Sequence, residues 1–383
     1  MAWLTSEQAL VALGTKPQSL YASVSRGRIR MKPDPKDPRK SLYSGDDVTR
    51  LAARASGRRK AETVAAEAIR WGEPVLPSAI TTITGGRLYY RGRDAAKLAE
   101  TATLEDIATL LWESPDVDFG APASSAVARA SSIAPLRRGF AVIADRAATD
   151  PPALGRALPV LRAEANGIVG ALAAGLGAAP QDGPLHERIA VAWQRPEAAD
   201  AIRRILVLLA DHELNASTFA ARVTASTGAS LAAAVLTGLA TVTGPLHGSA
   251  PASLLAVLAL ADREDPNAAV RLWLAQGRPL PTFGHRLYPD GDIRAKTLLE
   301  GTVLPPAFAA IASAAREMVG EEPNVDFALA VLAAVYDLPR GAPLLLFSIA
   351  RSVGWLAHAL EQLETGTLIR PRAHYVGIAP IAA

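Results

Sequence analysis

Between Val223 and Ala261 the chain carries no Asp, Glu, Lys or Arg. An uncharged stretch of that length has two homes, a lipid bilayer or the interior of a protein. Thr241, Thr243, Gly244, Pro245 and His247 interrupt it, and its Ala, Gly, Ser and Thr residues are only mildly apolar. The reading is therefore a set of buried core helices, with no membrane span. Composition supports helix: Ala, Leu and Arg dominate, and aromatics make up only 5% of the 383 residues. For that mix the helix is the cheaper backbone state. The length suggests two or three domains with room for a sizeable core. Long helical segments are punctuated near Ser114-Pro115, Asp150-Pro151-Pro152, Gly175 to Pro184, Asp265-Pro266 and Pro305-Pro306. Ile80 to Arg93, with Gly85-Gly86 at its centre, reads as a short hairpin.

The chain has no cysteine, which excludes disulfides, thiolate catalysis and Cys-ligated metals. Residues 1–20 lack a basic region followed by an apolar one, so no signal peptide is read and a cytoplasmic location is expected. The net charge of +3 hides an asymmetry. Residues 1–60 hold 13 Lys/Arg against 5 Asp/Glu, while the remainder holds 27 against 32. A basic head on a mildly acidic body points to an anionic partner for the head alone.

In the head, Thr5 and Gln8 match a capping box, followed by an apolar stripe of Leu10, Val11 and Leu13. Gly14 suits a helix end, and Pro17 the first turn of a second helix whose face carries Leu20, Tyr21 and Val24 and which Gly27 ends. A basic hairpin or wing spans Arg28 to Tyr43, and Ser44 with Asp47 caps a further helix through Leu51 to Arg54. This segment resembles winged helix-turn-helix domains of the MerR and excisionase type. Gln18, Ser19, Ser23, Arg26 and Arg28 are the residues to meet a groove or phosphates. Two partners stay open: DNA through residues 1–56, or another protein docking on an arginine-rich face. Ser56 to Lys60 reads as a linker.

Three of the six histidines sit in unusual local settings: His212 in Asp-His-Glu-Leu-Asn-Ala-Ser-Thr, His247 in Gly-Pro-Leu-His-Gly, and His285 in Phe-Gly-His-Arg-Leu-Tyr. Any one of them alone reads as a structural histidine. No two histidines share helical spacing and no His-Glu-x-x-His occurs, so no metal site is expected. Arg294, Arg351 and Arg370 lie in similar settings, and Asp326 lies in Pro-Asn-Val-Asp-Phe. Spacing alone does not prove that these groups converge.

Gly244-Pro245-Leu246-His247-Gly248, Gly284-His285-Arg286-Leu287-Tyr288 with Arg294-Ala295, and Pro323-Asn324-Val325-Asp326-Phe327 resemble the three signature blocks of the citrate synthase family. Asp211 to Thr218, Tyr90-Arg91-Gly92, Arg351 to His358, and Arg370-Pro371-Arg372-Ala373 with Tyr375 extend the resemblance in the family's order, over roughly residues 76–377. It implies an all-α, two-domain helical fold behind the small winged head. The expected domains are residues 1–56 (head), 57–76 (linker or connecting helix), 77–247 with 334–383 (large domain) and 248–333 (small domain). It also implies condensation of acetyl-CoA, as co-substrate, with oxaloacetate, followed by thioester hydrolysis, with no permanently bound cofactor. Asp326 matches the base, His247 the group that stabilises the enol or enolate, and His285 the group that polarises the keto carbonyl. His212, Arg294, Arg351 and Arg370 match the oxaloacetate contacts, Arg370 reaching the partner subunit of a homodimer. Bidentate guanidinium forks suit the two carboxylates better than lysines would.

Three departures fall beside these groups. Ser249-Ala250-Pro251 stands where the family commonly has Gly-Ala-Asn after its first Gly; Ile293 replaces a proline, and Pro289 a lysine. They bear on CoA contacts and rate more than on the catalytic trio. Two other readings accompany the synthase: a 2-methylcitrate synthase using propionyl-CoA, and a DNA-binding regulator with a synthase-like body as metabolite sensor.

Overall fold

The computed structural model describes residues 3–13, 17–25, 28–35, 37–49, 76–115, 117–120, 134–248, 250–263, 265–371 and 377. The chain divides into two units, Met1–Pro77 and Ser78–Ala383. The expected linker at 56–60, the helical residues 51–54, and Gly14, Arg26 and Gly27 lie outside the described residues, as does the side-chain placement of Gln18 and Ser19.

The first unit holds helices α1 (Ser6–Leu13) and α2 (Pro17–Ser25) and strands β1 (Trp3–Leu4), β2 (Met31–Asp34) and β3 (Asp37–Ser44). The capping box is present: Gln8 N–H donates to Thr5 Oγ1 at 3.3 Å, and Thr5 N–H donates back to Gln8 Oε1 at 3.0 Å. The hairpin forms with Met31 opposite Tyr43, and β1 adds an unforeseen third strand in the order β1-β3-β2. A small core gathers Ala9, Leu20, Ile29, Tyr43 and Val48. Two expectations are corrected. Val11 is 79% and Tyr21 55% exposed, because Ala9 and Leu20 fill the core instead. Buried Asp47 accepts from the Arg30 side chain at 2.7 Å, and that bond holds its carboxyl well below the usual range.

Among the described residues, the regular structure of the second unit is helical apart from one small sheet of β4 (Thr81–Thr84), β5 (Arg87–Tyr90) and β6 (Arg93–Asp94). Gly85 and Gly86 both adopt positive φ, 58° and 69°, which a tight hairpin turn between β4 and β5 requires. The helices used below are α3 (Ala95–Thr101), α4 (Leu104–Trp112), α5 (Pro135–Thr149), α6 (Leu158–Leu176), α7 (Leu185–Ala192), α8 (Ala199–Leu209), α9 (Ala216–Ser226), α10 (Leu231–Val242), α11 (Ala250–Ala261), α12 (Pro266–Leu274), α13 (Ile293–Leu299), α14 (Pro306–Val319), α15 (Val325–Val335) and α16 (Ala342–Thr365). The expected Pro/Gly breaks fall at helix ends or between helices: Gly175 lies in the last turn of α6, and Pro266 and Pro306 are the first residues of α12 and α14.

Apolar packing forms two clusters. The larger joins the hairpin, α4, α6, α8, α10 and α16; the smaller joins residues 254–331, with Leu254, Trp273, Phe283, Phe308 and Phe327 at its heart. α16 has the length and apolar composition to cross a bilayer, yet 89% of its most apolar window is buried inside the unit. The uncharged stretch became the end of α9, then α10 and α11, and most of α10 is buried. At Gly238 of α10 a Cβ would stand 2.5 Å from the Trp355 ring. Only glycine allows α10 and α16 to approach that closely.

Candidate active site

Three helices begin alike. Asn215, Asp292 and Asn324 are the N-caps of α9, α13 and α15; each is followed by an apolar residue and then by Ser217, Arg294 or Asp326. In each case the cap oxygen accepts the backbone N–H of that third residue, at 3.2, 3.0 and 3.0 Å. Capping explains why the helices start there, and it fixes the backbone of all three side chains.

The loop carrying His285 is tied to the start of α15. Gly284 N–H donates to Glu322 O at 2.9 Å, Asn324 Nδ2–H to Gly284 O at 3.0 Å, and Asn324 N–H to Thr282 O at 3.0 Å. Gly284 has φ +65°, and a Cβ there would meet the Glu321 carboxylate. Thr282, a β-branched residue, is held at φ +70°, a costly conformation kept by these surrounding bonds. His212 is placed by the hairpin and by α8: Ile83 N–H donates to Glu213 Oε1 at 2.8 Å, and the buried Tyr90 hydroxyl donates to Val207 O at 3.0 Å. Asp211 pairs with His358 at 3.3 Å, joining the Asp211 and Arg351 sequence blocks.

The rings converge. His212 and His285 lie 5.2 Å apart edge to face; Tyr288 lies 5.7 Å from His212 and 5.0 Å from His285. The Tyr288 hydroxyl is 3.1 Å from His212 Nε2, and Arg294 sits 5.2 Å over the Tyr288 ring. His247 packs edge-on to Phe347 at 5.7 Å, Arg351 lies 4.7 Å over the same ring, and His247 Nε2 meets Ser217 Oγ at 2.8 Å. Trp355, brought close by Gly238, donates its indole N–H to the same Ser217 Oγ at 3.1 Å.

The electrostatics separate the groups by role. Burial, followed by the fields of Arg294 and Arg351, pushes His212 well below the usual imidazole range. Burial and then Arg351 bring His247 to about 4, and burial and then Arg294 bring His285 to about 4. All three are neutral at pH 7. Asp326 is pushed up to about 7, because burial outweighs the opposing pull of Arg294 and Arg351. Its position near a helix N-terminus also favours the ionised form, so desolvation is the dominant influence. Asp326 Oδ1 is sealed from solvent, with no hydrogen-bond partner among the described residues. An unpaired carboxyl of this kind is a functional signal. Arg294 is buried too, yet Asp292 holds it bidentately at 3.0 and 2.8 Å and keeps its charge firmly on. Asp292 Oδ2 also accepts the Val325 N–H at 3.0 Å, linking the starts of α13 and α15.

Six of the seven expected residues thus share one set of packed rings and charges: His212, His247, His285, Arg294, Asp326 and Arg351. Arg370 does not. It is exposed beyond α16, without a hydrogen bond or ion pair among the described residues; Arg372 and Tyr375 lie outside those residues. Ser217, Tyr288, Asp292 and Asn324 were missed as site residues. The capping pattern was the available signal for Asp292 and Asn324, and it places Ser217 two residues after a cap; Tyr288 lies in the block around His285, but no local signal gives it a role. Among the departures, Pro251 falls in the first turn of α11, where its missing N–H costs nothing. Ile293 opens α13, and Pro289 is exposed in the Tyr288–Gly291 turn. A cavity of about 480 Å³ between α3, α8 and α13, lined by Arg87, Lys97, Arg203 and Arg204 among others, contains none of these groups.

The family model described as citrate synthase, C-terminal domain, matches residues 124–372. The "Putative citrate synthase 2" of Mycobacterium tuberculosis is 38% identical over 209 residues, covering 50% of this chain and 56% of that protein. The chain therefore spans about half the length of the curated relatives it matches. The crystal structure of citrate synthase from Thermotoga maritima aligns with a TM-score of 0.67 at 27% identity, over 82% of this chain and 96% of that one. The Thermoplasma acidophilum citrate synthase, in ternary complex with carboxymethyl coenzyme A and oxaloacetate, shares the fold at a TM-score of 0.67 and 24% identity, over 81% of this chain and 96% of that one.

Proposed function

Because this chain belongs to the citrate synthase family, we propose that it condenses acetyl-CoA with oxaloacetate and hydrolyses the resulting citryl thioester to citrate and CoA. The observation that carries the reading is Asp326: a half-buried carboxyl whose Oδ1 is sealed and unpartnered among the described residues, poised near pH 7, with Arg294 and Arg351 in its field and neutral His285 and His247 beside those same arginines. The methyl proton beside a thioester is weakly acidic, and a base with a pKa near the working pH takes it most efficiently.

Tautomers support the two histidine roles. Leu287 N–H donates to His285 Nδ1 at 3.2 Å, so neutral His285 carries its proton on Nε2. That N–H polarises the keto carbonyl under attack and then supplies the proton to the new alkoxide. Ser217 Oγ already accepts the Trp355 N–H and has one proton to give, to Asn215 Oδ1 or to His247 Nε2. When it goes to His247, the imidazole N–H is on Nδ1, free for the thioester oxygen as the enolate forms. Preorganised donors of this type contribute roughly 3–4 kcal/mol each. Arg294, Arg351 and His212 receive the keto acid; Arg370 completes the clamp from the partner subunit of a homodimer. Residues 77–247 with 334–383 act as the large domain and 248–333 as the small one, with the site between them.

The head, residues 1–56, is proposed to meet an anionic partner, DNA first. Three of its hairpin cations are already engaged: Arg30 by Asp47, Lys32 over the Trp3 ring at 4.3 Å, and Lys40 by Asp37 at 3.7 Å. DNA binding that weakens steeply with salt and is lost without residues 1–56 supports the proposal; salt-insensitive or absent binding points to protein docking. For the body, free-thiol release is measured with oxaloacetate and a panel of acetyl-CoA and propionyl-CoA. One methylene discriminates by only about 1–3 kcal/mol, so the panel decides between citrate and 2-methylcitrate formation. No release with any short acyl-CoA overturns the reading.

A further inference from the structure

Tyr288 touches three of the groups expected to meet the keto acid at once. Its hydroxyl meets His212 Nε2 at 3.1 Å, its ring packs on His285 at 5.0 Å and on His212 at 5.7 Å, and Arg294 lies over its face at 5.2 Å. The direction of the hydroxyl bond follows from proton counting. His212 Nε2 is the only hydrogen-bond partner of the Tyr288 hydroxyl among the described residues. Were His212 to donate, the phenol proton of this buried tyrosine would point at nothing, and an unsatisfied buried donor is costly. Tyr288 therefore donates and His212 Nε2 accepts. Burial keeps the phenol protonated, its pKa pushed up to about 12, so the donor is present at every working pH.

We propose that Tyr288 is the positioning residue of the keto-acid site: by donating to Nε2 it fixes His212 as the Nδ1–H tautomer, leaving that N–H to bind an oxygen of the substrate. His212 Nδ1 has no hydrogen bond among the described residues. With Nε2–H on His285, the site then presents two neutral N–H donors beside two guanidiniums, which suits a keto dicarboxylate. The same ring, wedged between His285 and Arg294, holds the electrophilic and the clamping group at fixed separation. This inference rests on the synthase reading for its substrate, but the tautomer of His212 is a property of the free protein.

The test uses the full chain and two readouts. Long-range proton–nitrogen NMR of the imidazoles, with His212 assigned by loss of its signals in His212→Gln, reports the tautomer without substrate. The expected result is Nδ1–H in the native protein and a shift to Nε2–H or a mixture in Tyr288→Phe, which keeps the ring. Steady-state kinetics should then show the KM for oxaloacetate rising about tenfold in Tyr288→Phe, with kcat changed far less, as expected for one lost hydrogen bond. A native Nε2–H tautomer overturns the inference even if the variant fails to fold. An unchanged tautomer and KM with only a lowered Tm also overturns it, since that is a purely structural role. If the native protein releases no thiol, the synthase reading fails, while the tautomer result still decides the role of Tyr288.

Discussion

Arg294 lies over Tyr288 and Arg351 over Phe347 in the same cluster, and the two are almost equally buried, yet the protein treats their charges differently. Arg294 is held bidentately by Asp292. Arg351 has no salt bridge among the described residues; it donates to Leu209 O at 2.8 Å and lies over Phe347, and burial lowers it to about 10. On the Arg294 side charge is balanced before any ligand arrives. Arg351 has chiefly the more distant field of Asp211 to support its charge, and the Asp326 carboxyl, which feels Arg294 first and Arg351 after it, has no side-chain hydrogen bond among the described residues. The balanced pair serves the fold as much as binding, whereas Arg351 and Asp326, less well compensated, destabilise the empty protein and favour capture of an anion.

That contrast can be broken by substitution. Arg294→Gln strands the buried Asp292 carboxylate and should lower the unfolding free energy by about 3–5 kcal/mol in urea titration. An equal loss in Arg351→Gln would erase the difference between the two sides. The next effect concerns pH. The Asp326 carboxyl titrates near 3.8 when unfolded and near 7 when folded. Its contribution to stability is whole below about pH 4 and disappears as pH rises through 7. Native protein should therefore lose up to about 4 kcal/mol relative to Asp326→Asn between pH 4 and 8; parallel urea midpoints across that range would show the carboxyl is not held protonated. Arg351→Gln should leave stability within about 1 kcal/mol but weaken oxaloacetate binding roughly 100-fold by calorimetry, the scale of a lost buried charge pair. Smallest is Gly238→Ala, which should cost about 1–3 kcal/mol by overpacking α10 on Trp355, with Ser217 and His247 losing their shared bond network as a fall in kcat.

Much of this was legible in the sequence because the relevant signals are local. Pro and Gly breaks mark helix ends, Gly85-Gly86 marks the hairpin, and the blocks around His212, His247, His285 and Asp326 are contiguous. What stayed hidden depends on residues far apart in the chain. Ser217 meets His247 across 30 residues and Tyr288 meets His212 across 76; no spacing rule encodes either. An Asp at a helix start signals a cap, but nothing in the sequence tells that the Asp292 cap doubles as the clamp on Arg294. Val11 and Tyr21 misled because helical periodicity names an apolar face and not the part of it that the β-sheet covers.

The central claim is that Asp326 is the base. Thiol release from acetyl-CoA and oxaloacetate, measured from pH 5 to 9, tests it most directly. The account predicts that kcat/KM rises with a midpoint near 7, and that Asp326→Asn loses roughly a thousandfold in kcat while still binding oxaloacetate. An Asp326→Asn protein that keeps the native rate, or a native profile flat through pH 7, would contradict it.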